Sequence, residues 1–335
     1  MNEERPVSDD PTRDALGALV RAAGPRALPP PEQMARARER VHAEWLASLS
    51  SRRRMRLEWL AAAALAAFAA GVGFFLWSRP EPAAQVAVAD RVSGGVLVQV
   101  LDAKNQQPLR AGAPLRVGET VVTPADGRVL LSWTDGIEVR VDRDSKVQLD
   151  SGAALRLLEG TVYIDTSSSG ESTTPLAILT SAGAVRHVGT RFEVRVVDGG
   201  TRVRVRDGTA LFTGTDHAVV LIASGQQLSV ADGQTSLAEG PGPADAVWEW
   251  TRAISPQFDI EGRSLYDSVE WLAHEAGLKI VYASGEVRDR AQTILVHGNI
   301  EGLPSRDALV AVLTGSGFDF DMDPDQVRIR GAQAR

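Results

Sequence analysis

The chain has 335 residues, a formal net charge of −7 and 44% hydrophobic residues. That length accommodates more than one domain, and the acidic balance speaks against direct nucleic-acid binding. There is no cysteine, which excludes disulfides, thiol nucleophiles and every cysteine-containing zinc site.

Residues 1–56 carry eleven arginines, no lysine and eight acids, a balance of +3 that leaves −10 for the remainder. Two helices are predicted here. The first runs from a Thr12 N-cap to Gly24, with Leu16, Leu19, Val20 and Ala23 on one face. After "LPPP" the second starts at Pro31-Glu32, and Met34, Ala37, Val41, Trp45 and Leu49 recur at helical spacing. So short a segment cannot bury that stripe alone. It either forms a hairpin resting on itself or on a membrane surface, or orders on a partner through Met34, Val41, Trp45 and Leu49.

Trp59–Trp77 is an uncharged run of about 19 residues, roughly 28 Å as a helix, with tryptophan at each end. It predicts a transmembrane helix over 57–77. Arg52, Arg53, Arg54 and Arg56 lie directly before it, so the positive-inside rule places 1–56 in the cytoplasm and the rest outside. A secretory signal would carry its basic region near Met1. The alternative for so alanine-rich a segment is a buried core helix.

Residues 78–91 are expected as a linker and 92–236 as an all-β domain, sandwich or solenoid-like, because short strands there are separated by glycine-bearing turns. "VVDGGTRV" predicts a tight hairpin at Asp198-Gly199-Gly200. Continuous alternation would place Val188, Thr190, Phe192, Val194 and Val196 on one face, and His187, Arg191, Glu193 and Arg195 on the other. Arg202, Arg204 and Arg206 of the returning strand read as a solvated row paired with acids rather than a polyanion site.

"AEGPGPADA" falls within a predicted linker at 237–253. Residues 254–331 then read as an α+β domain of two βαβ units. One comprises "FDI", a helix capped by Ser264 with Asp267 and ended by Gly277, and "LKIVY". The other comprises "ILVHGNI", a helix from Pro304-Ser305 to Gly315, and "FDFDM"; "VRIR" closes the domain. Phosphate-loop, GxSxG, HExxH and GxGxxG patterns are missing, and the five histidines are dispersed. No enzyme, metal or cofactor is expected.

"GETVVTPADGRVLLSWTDGIEVRVDRDSKVQL", "LRLLEGTVYIDT", "LAILTSAGAVRHVGTRFEVRV", "VRVRDGTALF" and "LIASGQQLSV" come in the order of the FecR domain, which the chain resembles over about 145 residues. The tail resembles the secretin and TonB short N-terminal domain. The resemblance implies a single-span inner-membrane anti-sigma regulator with its C-terminus in the periplasm. Residues 1–56 would hold an extracytoplasmic-function sigma factor, and the periplasmic part would receive the signalling domain of an outer-membrane TonB-dependent transducer. "VHAEWLASLS" resembles the start of the usual sigma-binding domain, but its further Trp-containing half is absent before the span. The alternative is an envelope scaffold or carbohydrate-binding protein without transcriptional output.

Glycine is a poor strand residue, yet Gly189-Thr190 interrupts the strand "AVRHVGTRFEVRVV". A hydroxyl directly after a glycine carbonyl is the arrangement for an N–O acyl shift and backbone scission, which some FecR-like regulators perform at this pair. The structural alternative is a bulge or a close backbone approach. Alternation puts His187 opposite Thr190, so it is assigned no part.

Overall fold

The computed structural model describes residues 11–24, 30–45, 83–100, 106–133, 136–166 and 175–332. They divide into two compact units, Met1–Glu81 and Pro82–Arg335. In the first, helix α1 spans Pro11–Ala22 and helix α2 runs over 31–45. Thr12 lies inside α1 rather than capping it, because Pro11 already occupies the first turn, where its fixed φ is at home. Gly24 follows at φ +64°. Among the described residues no helix is long and apolar enough to cross a membrane. The expected span over 57–77, with Leu49 and Arg52, Arg53, Arg54 and Arg56, lies outside them.

The second unit opens with an all-β domain. Its strands are β1 (Gln85–Ser93), β2 (Leu97–Gln99), β3 (Gln106–Pro108), β4 (Pro114–Arg116), β5 (Thr120–Thr123), β6 (Arg128–Trp133), β7 (Glu138–Val141) and β8 (Ser145–Ser151). They continue as β9 (Ala154–Asp165), β10 (Ala177–Leu179), β11 (Gly183–Val197), β12 (Gly200–Gly214), β13 (Val219–Ala223), β14 (Gln226–Ala231) and β15 (Gln234–Glu239). Among the described residues these strands form one branched sheet, with a main path β15-β14-β12-β11-β10-β9-β7-β6-β1-β4.

Two long strands hold it together by changing partners along their length. The first half of β9 pairs with β8 and β10 and its second half with β7 and β11. A sheet that switches neighbours in this way closes around its own apolar face, and Val121, Leu131, Leu149, Ile164, Phe192 and Val203 meet in a single core. Each such side chain contributes about 1.5–3 kcal/mol by leaving water. The β11–β12 hairpin turns through Asp198 and Gly199, both at positive φ, as a two-residue turn of that twist requires.

The C-terminal module has its own core around Val269, Leu272, Leu309, Leu313, Val327 and Ile329. Its elements are β16 (Arg263–Ser264), α4 (Leu265–Ala276), β17 (Lys279–Tyr282), α5 (Gly285–Thr293), β18 (Leu295–Val296), α6 (Ser305–Gly315), β19 (Phe318–Met322) and β20 (Gln326–Ala332) once a short helix α3 (Glu249–Ala253) has preceded them. Ser264 caps α4 by accepting from the Asp267 amide at 3.0 Å, and Gly277 ends it in the left-handed region. The two expected units do not build one sheet. β16 pairs with β18, while β20 inserts between β17 (parallel) and β19 (antiparallel). Residues 258–260 are not a strand, because Phe258 instead stacks on Trp271 at 4.5 Å. Helix α5 had no apolar period to announce it, since Ala291 is its one buried residue.

Both segments expected as linkers carry ordered structure. β1 begins at Gln85, inside the expected 78–91 linker, with Val86, Ala87 and Ala89 buried. Residues 237–253 are ordered as well. β15 extends to Glu239, and a 3-10 turn at Ala246–Trp248 leads into α3. Trp248 is 0% exposed, and its Nε1–H donates to the Gly242 carbonyl at 2.9 Å. A buried indole that satisfies its only donor anchors this segment firmly.

Candidate functional site

Val188 pairs with Thr209, and Arg191 with Asp207, so Gly189 and Thr190 of β11 face the single residue Gly208 of β12. This is a β-bulge, and it re-phases the strand. Before it, Val185 and His187 are buried; after it, Phe192, Val194 and Val196 are. The expected unbroken alternation is therefore overturned: the His187 and Phe192 rings lie 6.4 Å apart on the same side of the strand. His187 Nε2 accepts from the Leu176 amide at 3.0 Å, and burial lowers its pKa, so the ring is a neutral structural group.

Gly189 stands at φ +58° and Gly208 at φ +79°. A Cβ on Gly208 would come within 2.4 Å of the Gly189 carbonyl oxygen, whereas one on Gly189 would meet nothing within 4 Å. The bulge thus requires Gly208 for space and Gly189 for backbone conformation alone. Thr190 is 2% exposed. Its hydroxyl donates to the Thr209 carbonyl at 2.5 Å and accepts from the Thr209 amide at 3.3 Å. Its own amide donates to Thr166 Oγ1 at 2.8 Å, and Thr166 Oγ1 donates back to the Thr190 carbonyl at 3.1 Å. Thr166 lies just beyond the end of β9, and only the β9–β11 register, in which Asp165 opposes Arg191, brings it here.

The residues flanking the bulge join the two modules. Asp165 meets His274 Nε2 at 2.8 Å, and Arg191 donates to the His274 carbonyl at 2.6 Å. One residue on, Glu275 forms a two-pronged pair with Arg140 at 2.7 and 2.8 Å, both side chains at least 97% buried. Burial raises the Glu275 pKa, but the Arg140 charge and hydrogen bonds outweigh it and hold the carboxyl below its ordinary value. Arg206, expected as part of a solvated row, is 1% exposed. It donates to the Pro243 and Glu275 carbonyls at 2.7 and 2.9 Å and lies over the Trp248 ring. The carbonyls at the C-terminal end of α4 attract a guanidinium, and the module covers it. Arg202 and Arg204 face the buried Glu193 at 3.8 and 3.7 Å.

On α2, Met34, Val41 and Trp45 are 42%, 67% and 58% exposed, and His42 stacks on Trp45 at 6.2 Å. Among the described residues there is no cluster of three or more potential metal ligands.

The stretch of chain that holds the bulge has a counterpart among known families. Residues 119–211 match the family model described as FecR protein. This chain carries a FecR domain. Two crystal structures from Parabacteroides distasonis, of proteins provisionally named as anti-sigma factors, are each 14% identical to it. They cover 63% and 64% of the chain and 97% and 99% of their own lengths, with TM-scores of 0.33 and 0.35. A structure described as a cell surface anchoring domain is 30% identical over 20% of the chain and 87% of its own length, with a TM-score of 0.19. Likenesses this distant support no functional conclusion. No curated protein matches the chain. Thr166, Gly208 and the Arg140–Glu275 pair are not legible in the sequence, since each is tied to its site by register or by domain docking rather than by local spacing.

Proposed function

We propose that the chain is a single-span inner-membrane anti-sigma regulator that passes a periplasmic signal to an extracytoplasmic-function sigma factor. The FecR domain over 119–211 carries this reading, because that domain resembles the sensor part of sigma-factor regulators. The sigma-facing surface is the exposed stripe of α2, with Trp45 as its large rigid anchor. The C-terminal module is the receiver for the signalling domain of an outer-membrane TonB-dependent receptor. Exposed Leu295 and Leu303, and the outer edges of β17 and β19, suit pairing with an added strand. Full-length protein purified from its own host membranes should bring down a sigma factor, identified by mass spectrometry, and Trp45→Ala should lose it. Recovery of no sigma factor with the wild-type chain would hand the function to an envelope scaffold. A periplasm-dependent reporter should be active after residue 90 and silent after residue 50.

The bulge supports a second property, self-scission between Gly189 and Thr190. Thr190 Oγ1 adds to the Gly189 carbonyl carbon, the C–N bond breaks, and the proton lost by the hydroxyl is gained by the departing nitrogen. The ester so formed is hydrolysed by water to a Gly189 carboxylate and a Thr190 N-terminus. A left-handed Gly189 held by Gly208 and a hydroxyl fixed by Thr209 are the pre-organisation such a step needs.

A further inference from the structure

From the contacts of Thr190 we infer that Thr166 is a catalytic residue of this scission, its hydroxyl delivering the proton to the departing Thr190 nitrogen. The inference rests on the scission reading and adds to it the group that the chemistry otherwise lacks. An amide nitrogen does not leave as an anion; it must be protonated as the C–N bond opens. The Thr209 carbonyl, which accepts the Thr190 hydroxyl proton at 2.5 Å, orients that hydroxyl but is far too weak a base to carry the proton away. His187, the nearest imidazole in sequence, already uses Nε2 on the Leu176 amide.

Thr166 Oγ1 lies 2.8 Å from the nitrogen in question and is 5% exposed with its residue, so bulk water does not compete for the position. In the resting arrangement the Thr166 oxygen accepts the Thr190 N–H and its own proton points to the Thr190 carbonyl at 3.1 Å. As the Gly189 carbon becomes tetrahedral, the nitrogen loses amide resonance and gains a lone pair. Inversion at the now pyramidal nitrogen carries its N–H off Thr166 Oγ1 and brings the lone pair round to it. Rotation about the Thr166 Cβ–Oγ1 bond then turns the hydroxyl proton from the carbonyl to that lone pair. The proton given up is replaced from the one released by Thr190 Oγ1, so the shift remains an isomerisation with no added reactant. The two hydroxyls meet the Thr190 backbone from different elements, Thr190 Oγ1 held by the backbone of Thr209 and Thr166 Oγ1 reaching in from just beyond β9.

The test follows scission in the full-length protein by intact-mass spectrometry, counting the fragment that begins at Thr190, with hydroxylamine added in parallel to capture the ester at Gly189. Thr166→Val keeps the shape and removes the hydroxyl; Thr166→Ser keeps the hydroxyl. Wild type and Thr166→Ser should cut within a few-fold of each other, and Thr166→Val should be slower by about 100-fold or more. Ester captured by hydroxylamine should fall in step. Thr166→Val cutting at the wild-type rate overturns the role of Thr166 and leaves scission standing. Equal losses in the Val and Ser variants also overturn it, since packing would then be the cause. A wild-type chain that stays intact and yields no captured ester overturns scission itself, as does a Thr190→Ala chain cut at the same place.

Discussion

Gly189 and Gly208 are alike in type and conformation but not in what a side chain would cost them. Gly189 and Gly208 both occupy the left-handed region, where an L side chain costs roughly 1–2 kcal/mol. Only Gly208 also lacks room, its Cβ falling 2.4 Å from a backbone oxygen that has nowhere to go. Gly208→Ala should therefore destabilise the FecR domain well beyond Gly189→Ala, which should cost about 1 kcal/mol. Urea unfolding of the two variants measures the difference. Equal losses would mean that the bulge yields and that the Gly189 carbonyl is not held.

At the scale of the element, the C-terminal end of α4 is where the modules lock. Glu275 is an acid at the helix end that disfavours acids, and it is kept there by Arg140. Removing one member of a buried pair strands the other, a loss of about 3–5 kcal/mol. Glu275→Gln should show that loss in urea unfolding, with faster hydrogen exchange in both β7 and α4. Replacing both partners, as in Arg140→Met with Glu275→Leu, should recover much of the stability. If the single variant unfolds like wild type, the joint is not what holds the module. On α2, by contrast, Trp45→Ala should leave unfolding unchanged, since a side chain 58% exposed gives little to stability, while abolishing sigma-factor co-purification.

For the whole molecule the joint predicts a response to acid. The Glu275 carboxyl titrates below the ordinary value near 4.3. Its contribution is complete above that value and is lost as pH falls through the lower folded one. Glu138 and Glu193 act oppositely: burial raises both, partly offset by neighbouring arginines and, at Glu193, by the Trp250 N–H. Their charged forms cost stability at neutral pH, a cost relieved on acidification. The docked arrangement should hold from pH 8 to about 5 and weaken below about 4, and Glu275→Gln should flatten that acid limb. Urea midpoints measured from pH 7 to 3 check it; an acid limb identical in wild type and variant would remove Glu275 from the response.

Sequence alone determined whatever is written in local period and punctuation. The α2 start at Pro31, the β strands between glycine-bearing turns, the Asp198-Gly199 turn and the caps of α4 all follow from residues within a few positions of one another. The FecR resemblance was legible for the same reason, as an ordered series of such local motifs. Tertiary structure decided what depends on partners remote in the chain. Thr166 reaches Thr190 through strand register, and Arg206 leaves solvent only because α4 ends above it. Trp248 turned a Pro/Gly-rich segment into a buried anchor because its indole packs against Tyr163 and Arg206 of remote strands. The bulge belongs to both: Gly189 marks it in the sequence, but the phase change that brings His187 beside Phe192 exists only once Gly208 stands opposite. Alternation measures which face a residue takes relative to its neighbours in sequence, and an inserted residue resets that count without leaving a trace in composition.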